Sequence, residues 1–223
     1  MEDRIKKEIV AAITVFEKHL PESLHSQILL TGGSAAFLYG SDRPFSKDID
    51  FELPKTVIPE IENILKVRFD YHRKKTVFHS LKATFTEGNE AYDLIAESVI
   101  QPAGHPESYM VYLTDGILKK RKILHVNGQT LYLIPKELLV LIKLLAGRGE
   151  ELGKYDLYDV WKIMTANRDF DFSFFTELVR QFCKPLEKSL PLLLEHGQKI
   201  LADHPDQSVK QLLEVLTSLQ PSA

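Results

Sequence analysis

Residues 30–53 read LTGGSAAFLYGSDRPFSKDIDFEL. Two features of this stretch have the makings of chemistry. Gly32-Gly33-Ser34 stands ahead of a helix-like run, and further on Asp48 and Asp50 are separated by one isoleucine. Glycines between a strand and a helix let a backbone approach a ligand closely. A helix start presents unpaired N–H groups and a favourable dipole to an anion, and Ser34 adds a hydroxyl. Gly32, Gly33 and Ser34 are therefore a candidate phosphate cradle, although a plain strand-to-helix turn needs the same residues. Asp48 and Asp50, two apart in an extended segment, leave one face of it. Adjacent carboxylates repel unless a cation neutralises them. Hard oxygen ligands suit Mg²⁺ (or Mn²⁺), which keeps waters and shares substrate phosphates. Solvation of a strand end is the alternative for an isolated Asp-x-Asp. A third acid, Asp93, lies in AYDLIAE, inside an otherwise apolar strand. A buried acid needs a partner, either a metal shared with the pair or a salt bridge, for example to a lysine. Glu90 and Glu97 are weaker candidates, since they fall at the ends of that strand.

The combination is more specific than its parts. A strand, a Gly-Ser helix start and a second strand carrying Asp-x-Asp bring a phosphate cradle beside a metal pair. Two competing motifs fail. A Walker P-loop needs Lys-Ser/Thr after its glycines, and Ala35-Ala36 stand there. The haloacid-dehalogenase type of phosphatase needs Thr two residues past its second Asp, where this chain has Glu52. The pattern Gly33-Ser34 followed by Asp48-Ile49-Asp50 resembles the polymerase-β-like nucleotidyltransferase superfamily. Within it, GGSAAFLYGSDRPFSKDIDF is most similar to the AbiEii/MenT family of nucleotidyltransferase toxins from type IV-like toxin–antitoxin systems. Arg43, Ser46, Asp48, Ile49, Asp50 and Phe51 stand at that family's motif positions. KLLAGRGEELGKYDLYDV adds a second match, through Lys143, Arg148, Lys154, Asp156 and Asp159. Tyr155 displaces the basic residue by one place there. The resemblance covers roughly residues 28–165.

The resemblance implies transfer of an NMP from an NTP to an acceptor hydroxyl, with Mg²⁺ or Mn²⁺ at Asp48, Asp50 and Asp93. It implies nucleotide binding by Gly32, Gly33, Ser34, Arg43, Ser46, Lys143, Arg148 and Asp156. In the expected reaction the acceptor oxygen attacks the α-phosphorus in line, and pyrophosphate leaves. The implied acceptor is RNA, especially a tRNA 3′ end, or a protein side chain, and a cognate antitoxin is the implied partner. Physically, Lys143 lies in the apolar run LLVLIKLLA, so it must either reach solvent along its stem or find an anion. Asp156 and Asp159, three apart on one helix, could orient Lys143 or Arg148. Two rival classes remain open: a non-catalytic nucleotide-binding or interaction module, and a small-molecule, antibiotic-type adenylyltransferase.

The surrounding pattern must position these residues. Apolar positions Ile5, Ile9, Ala12, Ile13 and Phe16 predict a first helix. Short strands are expected near 27–30 and 49–53, with a helix from Ser34 to Tyr39 between them and another from Pro59 to Lys66. Strand signals follow near 76–78, 82–86, 91–95 and 109–113. Asn127-Gly128 predicts a type I′ hairpin turn between strands 122–126 and 129–133. After Pro135 the period becomes helical through to the C-terminus. The expectation is an α+β fold. A nucleotidyltransferase mixed sheet with flanking helices occupies 1–134, and a helical bundle occupies 135–223, with a substrate cleft between the halves.

Composition excludes several classes. Among 223 residues, 44% are apolar and 26% charged, which is ordinary globular usage rather than disorder. The net charge of −3 does not favour general polyanion binding. The local basic runs Arg73-Lys74-Lys75 and 119–122 read as solvated faces, or else as RNA-backbone contacts. A single cysteine, Cys183, permits no internal disulfide, is expected in the core, and fits a reducing compartment. The charged start MEDRIKKEIV has no signal-peptide core, and no apolar run is long enough for a membrane span. A cytoplasmic location is the expectation.

Overall fold

The structure is a computed structural model that describes residues 2–43, 48–73, 77–149 and 154–220. The chain divides into two compact units, each built from more than one segment. The first comprises residues 1–38, 44–98 and 112–135. The second comprises 39–43, 99–111 and 136–223. No helix among the described residues is long and apolar enough to cross a membrane.

In the first unit the helical stripe forms α1 (Glu2–Glu17), with Ile9, Ile13 and Phe16 buried. Then come α2 (Glu22–His25), β1 (Leu29–Leu30), α3 (Gly32–Leu38) and β2 (Ile49–Glu52). A 3-10 turn (Lys55–Val57) leads into α4 (Ile58–Leu65), followed by β3 (Asp70–Arg73), β4 (Phe78–Glu87) and β5 (Glu90–Ile100). After β6 (Tyr109–Val111), which lies in the second unit, the first unit closes with α5 (Asp115–Lys119), β7 (Lys122–Val126) and β8 (Gln129–Leu133). Its strands form one mixed sheet in the order β3-β4-β5-β2-β1-β8-β7. Strands β2 and β5 run parallel, as do β1 and β8, whereas β1–β2, β3–β4 and β7–β8 are antiparallel.

Alternation along β2 sends its two apolar residues to one side and its two acids to the other. On the apolar side Phe16 of α1 stacks on Phe51 (centroids 4.7 Å) and on Tyr92 (5.1 Å), and the Tyr92 hydroxyl donates to the Ala12 carbonyl at 3.1 Å. The β7–β8 turn has positive φ at both Asn127 (52°) and Gly128 (79°), as a type I′ turn requires.

Several elements differ from expectation. β3 was not expected, because its residues DYHR carry no apolar alternation. The strands expected near 82–86 and 91–95 are the middles of β4 and β5, which run on through charged residues to their shared turn. At its other end β5 runs on to Ile100, so Glu97 is interior to it rather than at its end, and it is 1% exposed.

In the second unit, α6 (Lys136–Ala146) is buried at every position from Glu137 to Ala146. A helix apolar on all sides belongs in the middle of a bundle, and α6 packs against α7 (Asp156–Ala166), α8 (Phe172–Phe182) and α9 (Leu186–Asp203). The last helix, α10 (Gln207–Ser218), packs on α9. Side-chain caps mark two of the starts. Asp171 accepts from Phe174 N and Asp206 from Ser208 N, satisfying N–H groups that the helix leaves unpaired. Cys183 is in the core, and burial pushes its thiol up to about 12.

Candidate functional site

The turn into α3 is built around one close approach. Gly32 has φ of +62°, and a Cβ there would lie 2.1 Å from Oδ2 of Asp50. Only glycine tolerates both conditions, so the helix starts directly against the carboxylate. The backbone reinforces this junction: Thr31 N donates to the Asp50 carbonyl at 2.9 Å, and Ala35 N donates to the Thr31 carbonyl at 3.2 Å. Ala35 and Ala36 are fully buried, and their small side chains let α3 lie close to its surroundings. Ser34 is 1% exposed, yet its Oγ has no hydrogen-bond partner among the described residues. Leaving a buried hydroxyl unpaired is costly, and a ligand oxygen would satisfy Ser34. Asp48 is exposed just before β2. Ser46 lies outside the described residues.

Parallel pairing of β2 with β5 sets Asp50 in register with Asp93. Register partners share a face, on strands about 4.8 Å apart. Both Asp93 oxygens are engaged: Oδ1 accepts from the Thr84 hydroxyl at 2.7 Å, and Oδ2 accepts from the Lys82 ammonium. Lys82 itself is only 8% exposed. Glu97 is likewise bound, by Lys55 and by the Tyr71 hydroxyl at 2.7 Å. Among the described residues no three His, Cys, Asp or Glu side chains are grouped to hold a metal ion. Asp48 and Asp50 supply two hard oxygen donors, which fits a Mg²⁺ that completes its shell with phosphate and water. Asp93, by contrast, already accepts a hydrogen bond on each oxygen.

Glu52 was not singled out from sequence beyond its exclusion of a phosphatase motif. It shares the acid face of β2 with Asp50, is 4% exposed, and its Oε2 has no partner among the described residues. Burial, with the Asp50 charge adding to it, raises its carboxyl from 4.5 to about 8. The folded chain thus keeps this proton where the unfolded chain has lost it. Stability from Glu52 is full below about pH 4.5 and is lost as pH rises from there toward 8. Glu52→Gln should remove that loss. In denaturant melts its advantage over the parent chain should grow between pH 5 and pH 8.5. An advantage that stays constant across that range would count against a buried, protonated Glu52.

The second unit holds a separate ionic group. Lys143 of α6 is 5% exposed and does not reach solvent; its ammonium lies 2.7 Å from Asp159 Oδ2 and 3.4 Å from Asp156 Oδ1. Asp159, fully buried, also accepts from the Ser41 hydroxyl at 2.5 Å and pairs with Arg43 at 3.3 Å. Arg148 Nε donates to Asp156 Oδ2 at 2.6 Å. Arg43 additionally lies over the Tyr155 ring, 5.7 Å from its centroid. Lys154 is exposed. Nearby, Tyr158 and Lys162 both donate to Asp42, at 2.7 and 3.0 Å. Residues 41–43 are thereby fastened to α7. Of the residues expected to bind nucleotide, Lys143, Arg148, Asp156 and Arg43 meet in this one group, while Gly32, Gly33 and Ser34 stand with Asp50 in the first unit.

Among the participants beyond Glu52 that had no role from sequence are Lys82, Thr84 and Ser41. Alternation in FHSLKATF, which carries Lys82 and Thr84 on one face, was the available signal for Lys82. Nothing local marks Ser41, whose acceptor is far along the chain.

No family model and no curated protein matches the chain. Several solved structures are similar to it. A candidate nucleotidyltransferase from Thermotoga maritima shares 16% identity at a TM-score of 0.48, covering 66% of this chain and 89% of its own. An antigenic nucleotidyltransferase-like protein from Paracoccidioides brasiliensis shares 14% identity at a TM-score of 0.46, covering 95% and 93%. The lincosamide antibiotic adenylyltransferase LnuA, in its lincomycin-bound form, shares 16% identity at a TM-score of 0.38, covering 72% and 97%. These likenesses are distant, and the functional reading below rests on the chain's own residues.

Proposed function

We propose that this chain is a divalent-metal-dependent nucleotidyltransferase that moves an NMP from an NTP to an acceptor hydroxyl. The observation that most supports it is the Gly32–Asp50 junction. A positive-φ glycine is packed onto a carboxylate, and a buried hydroxyl without a partner, on Ser34, follows two residues later in the same helix. A plain turn has no need of that unpaired hydroxyl, whereas a phosphate oxygen would satisfy it.

In this reading Asp48 and Asp50 would hold a Mg²⁺ or Mn²⁺ ion. When bound, such an ion supplies positive charge to the phosphate oxygens as the bond to pyrophosphate breaks. Ser34 donates its hydroxyl to a phosphate oxygen, and Gly32 and Gly33 keep side chains out of the space the phosphate needs. Glu52, protonated, adds no further negative charge beside Asp50. In the helical unit Asp156 and Asp159 gather Arg43, Lys143 and Arg148 into one ionic group, which the same reading keeps as candidate nucleotide-binding residues. The Arg43, Ser46 and Asp48-Ile49-Asp50 pattern supports the AbiEii/MenT kind of transferase, a toxin with a cognate antitoxin. Its acceptor would be an RNA, such as a tRNA 3′ end, or a protein side chain.

The test is incubation of the chain with Mg²⁺ or Mn²⁺, total RNA, a protein extract and each α-labelled NTP in turn. Label transferred to RNA or to protein, with matching pyrophosphate release, is the expected result and names the acceptor class. Pyrophosphate release with label on neither points to a small-molecule acceptor. No pyrophosphate with any NTP overturns the proposal.

A further inference from the structure

We infer that the ammonium of Lys82 stands where a second divalent cation would bind at Asp93, so that the chain works with one metal ion, held by Asp48 and Asp50, and a built-in cation beside it. The inference rests on the nucleotidyl-transfer reading above. It departs from the three-carboxylate site expected from sequence, in which Asp93 is itself a metal ligand.

The argument starts from burial. Lys82 is 8% exposed, on β4. A buried ammonium is tolerated only with an anion in good geometry, and the ion pair it makes is with Asp93. Thr84, two residues along the same strand, takes the other oxygen of the same carboxylate at 2.7 Å. Thr84 thereby orients Asp93 toward Lys82. The residues two apart on β4 and the acid on β5 thus form one preassembled unit. Asp93 is also the register partner of Asp50, so the charge of Lys82 is delivered to the face of the sheet that carries Asp50.

A divalent ion at Asp93 would have to share an oxygen with Lys82 or Thr84. It would also face a lysine that burial keeps from retreating into water. Two positive groups at one carboxylate repel. The lysine and the second ion are therefore alternatives. They differ in chemistry as well. An ammonium supplies positive charge and hydrogen bonds, but it cannot acidify a bound hydroxyl as a divalent ion does. In this chain the role of Asp93 is to hold Lys82 in position.

Native mass spectrometry of the full chain tests this, counting Mn²⁺ ions on its complexes with each of the four α,β-methylene nucleoside triphosphates. One ion per complex is expected for the parent chain and for Asp93→Asn. Two are expected for Lys82→Met, in which the carboxylate is vacated, and one again for the double variant Lys82→Met/Asp93→Asn. Two ions on the parent chain that fall to one in Asp93→Asn would overturn the inference while leaving nucleotidyl transfer standing. Complexes that carry no Mn²⁺ would overturn both. If Lys82→Met does not fold, the parent and Asp93→Asn counts decide the question by themselves.

Discussion

Asp50→Asn is expected to abolish nucleotidyl transfer while leaving the fold in place. The substitution keeps the shape that Gly32 packs against, whose closest approach is to Oδ2 of Asp50, and it keeps the Thr31–Asp50 backbone bond. It removes one of the two negative charges offered to the cation. Losing one preorganised electrostatic contact of this kind costs at least ~10²-fold in turnover, and the Asp48 carboxylate alone is a poor site for a hard ion that prefers several oxygens. The measurement is label transfer from the preferred NTP at saturating Mg²⁺, with circular dichroism and the thermal midpoint as controls for folding. A second readout is linked to the first. The Asp50 charge is one cause of the raised Glu52 carboxyl, so the pH dependence of stability between 4.5 and 8 should shrink in this variant. A variant that folds and transfers at the parent rate would remove Asp50 from the reaction, and with it the observation on which the proposed function stands.

Asp159→Leu is expected to cause the largest loss of stability. Asp159 is fully buried and is approached by Lys143 at 2.7 Å, Arg43 at 3.3 Å and Ser41 at 2.5 Å. Deleting one partner of a buried pair leaves the other charged and unsolvated, at a cost of about 3–5 kcal/mol. In a chain of this size that corresponds to a fall in melting temperature on the order of 10 °C. The double variant Lys143→Met/Asp159→Leu should recover much of the loss, because no buried charge is then stranded on α6. Thermal melts of the two single variants and the double give the coupling directly. A loss below about 1 kcal/mol for Asp159→Leu would mean that Lys143 is not stranded without it, because Asp156 at 3.4 Å neutralises it alone or because it reaches solvent.

Much of the first unit was legible because its signals are local. A glycine that must take positive φ, an alternating Asp-Ile-Asp-Phe, and an Asn-Gly turn act within a few residues of themselves. The chain therefore announces strand, turn, helix and strand in order. The helical period after Pro135 is local in the same sense. Ends were less legible: β4 and β5 extend through charged residues because the hairpin's own hydrogen bonding continues after apolar patterning stops. β5 also continues past its expected end to Ile100, which is why Glu97 is interior rather than terminal.

What the sequence by itself determined is the set of chemical groups and the elements that carry them: Gly32, Ser34, Asp48 and Asp50 around one strand–helix–strand junction, and Lys143 among apolar neighbours that deny it easy solvent. What only the tertiary structure decided is the partner of each charge. Asp93 could have met a metal or a lysine. The pairing of β2 with β5 placed it beside Asp50, and the β4 strand supplied Lys82 and Thr84 to its two oxygens. Lys143 could have reached water, but α7 brought Asp156 and Asp159 to it, and Ser41 and Arg43 arrived from a distant segment. The physical reason is common to both cases. A buried charge requires a counter-charge, so the need is written in the local sequence. Which residue meets the need depends on register and packing between segments far apart in the chain, where local pattern carries no signal.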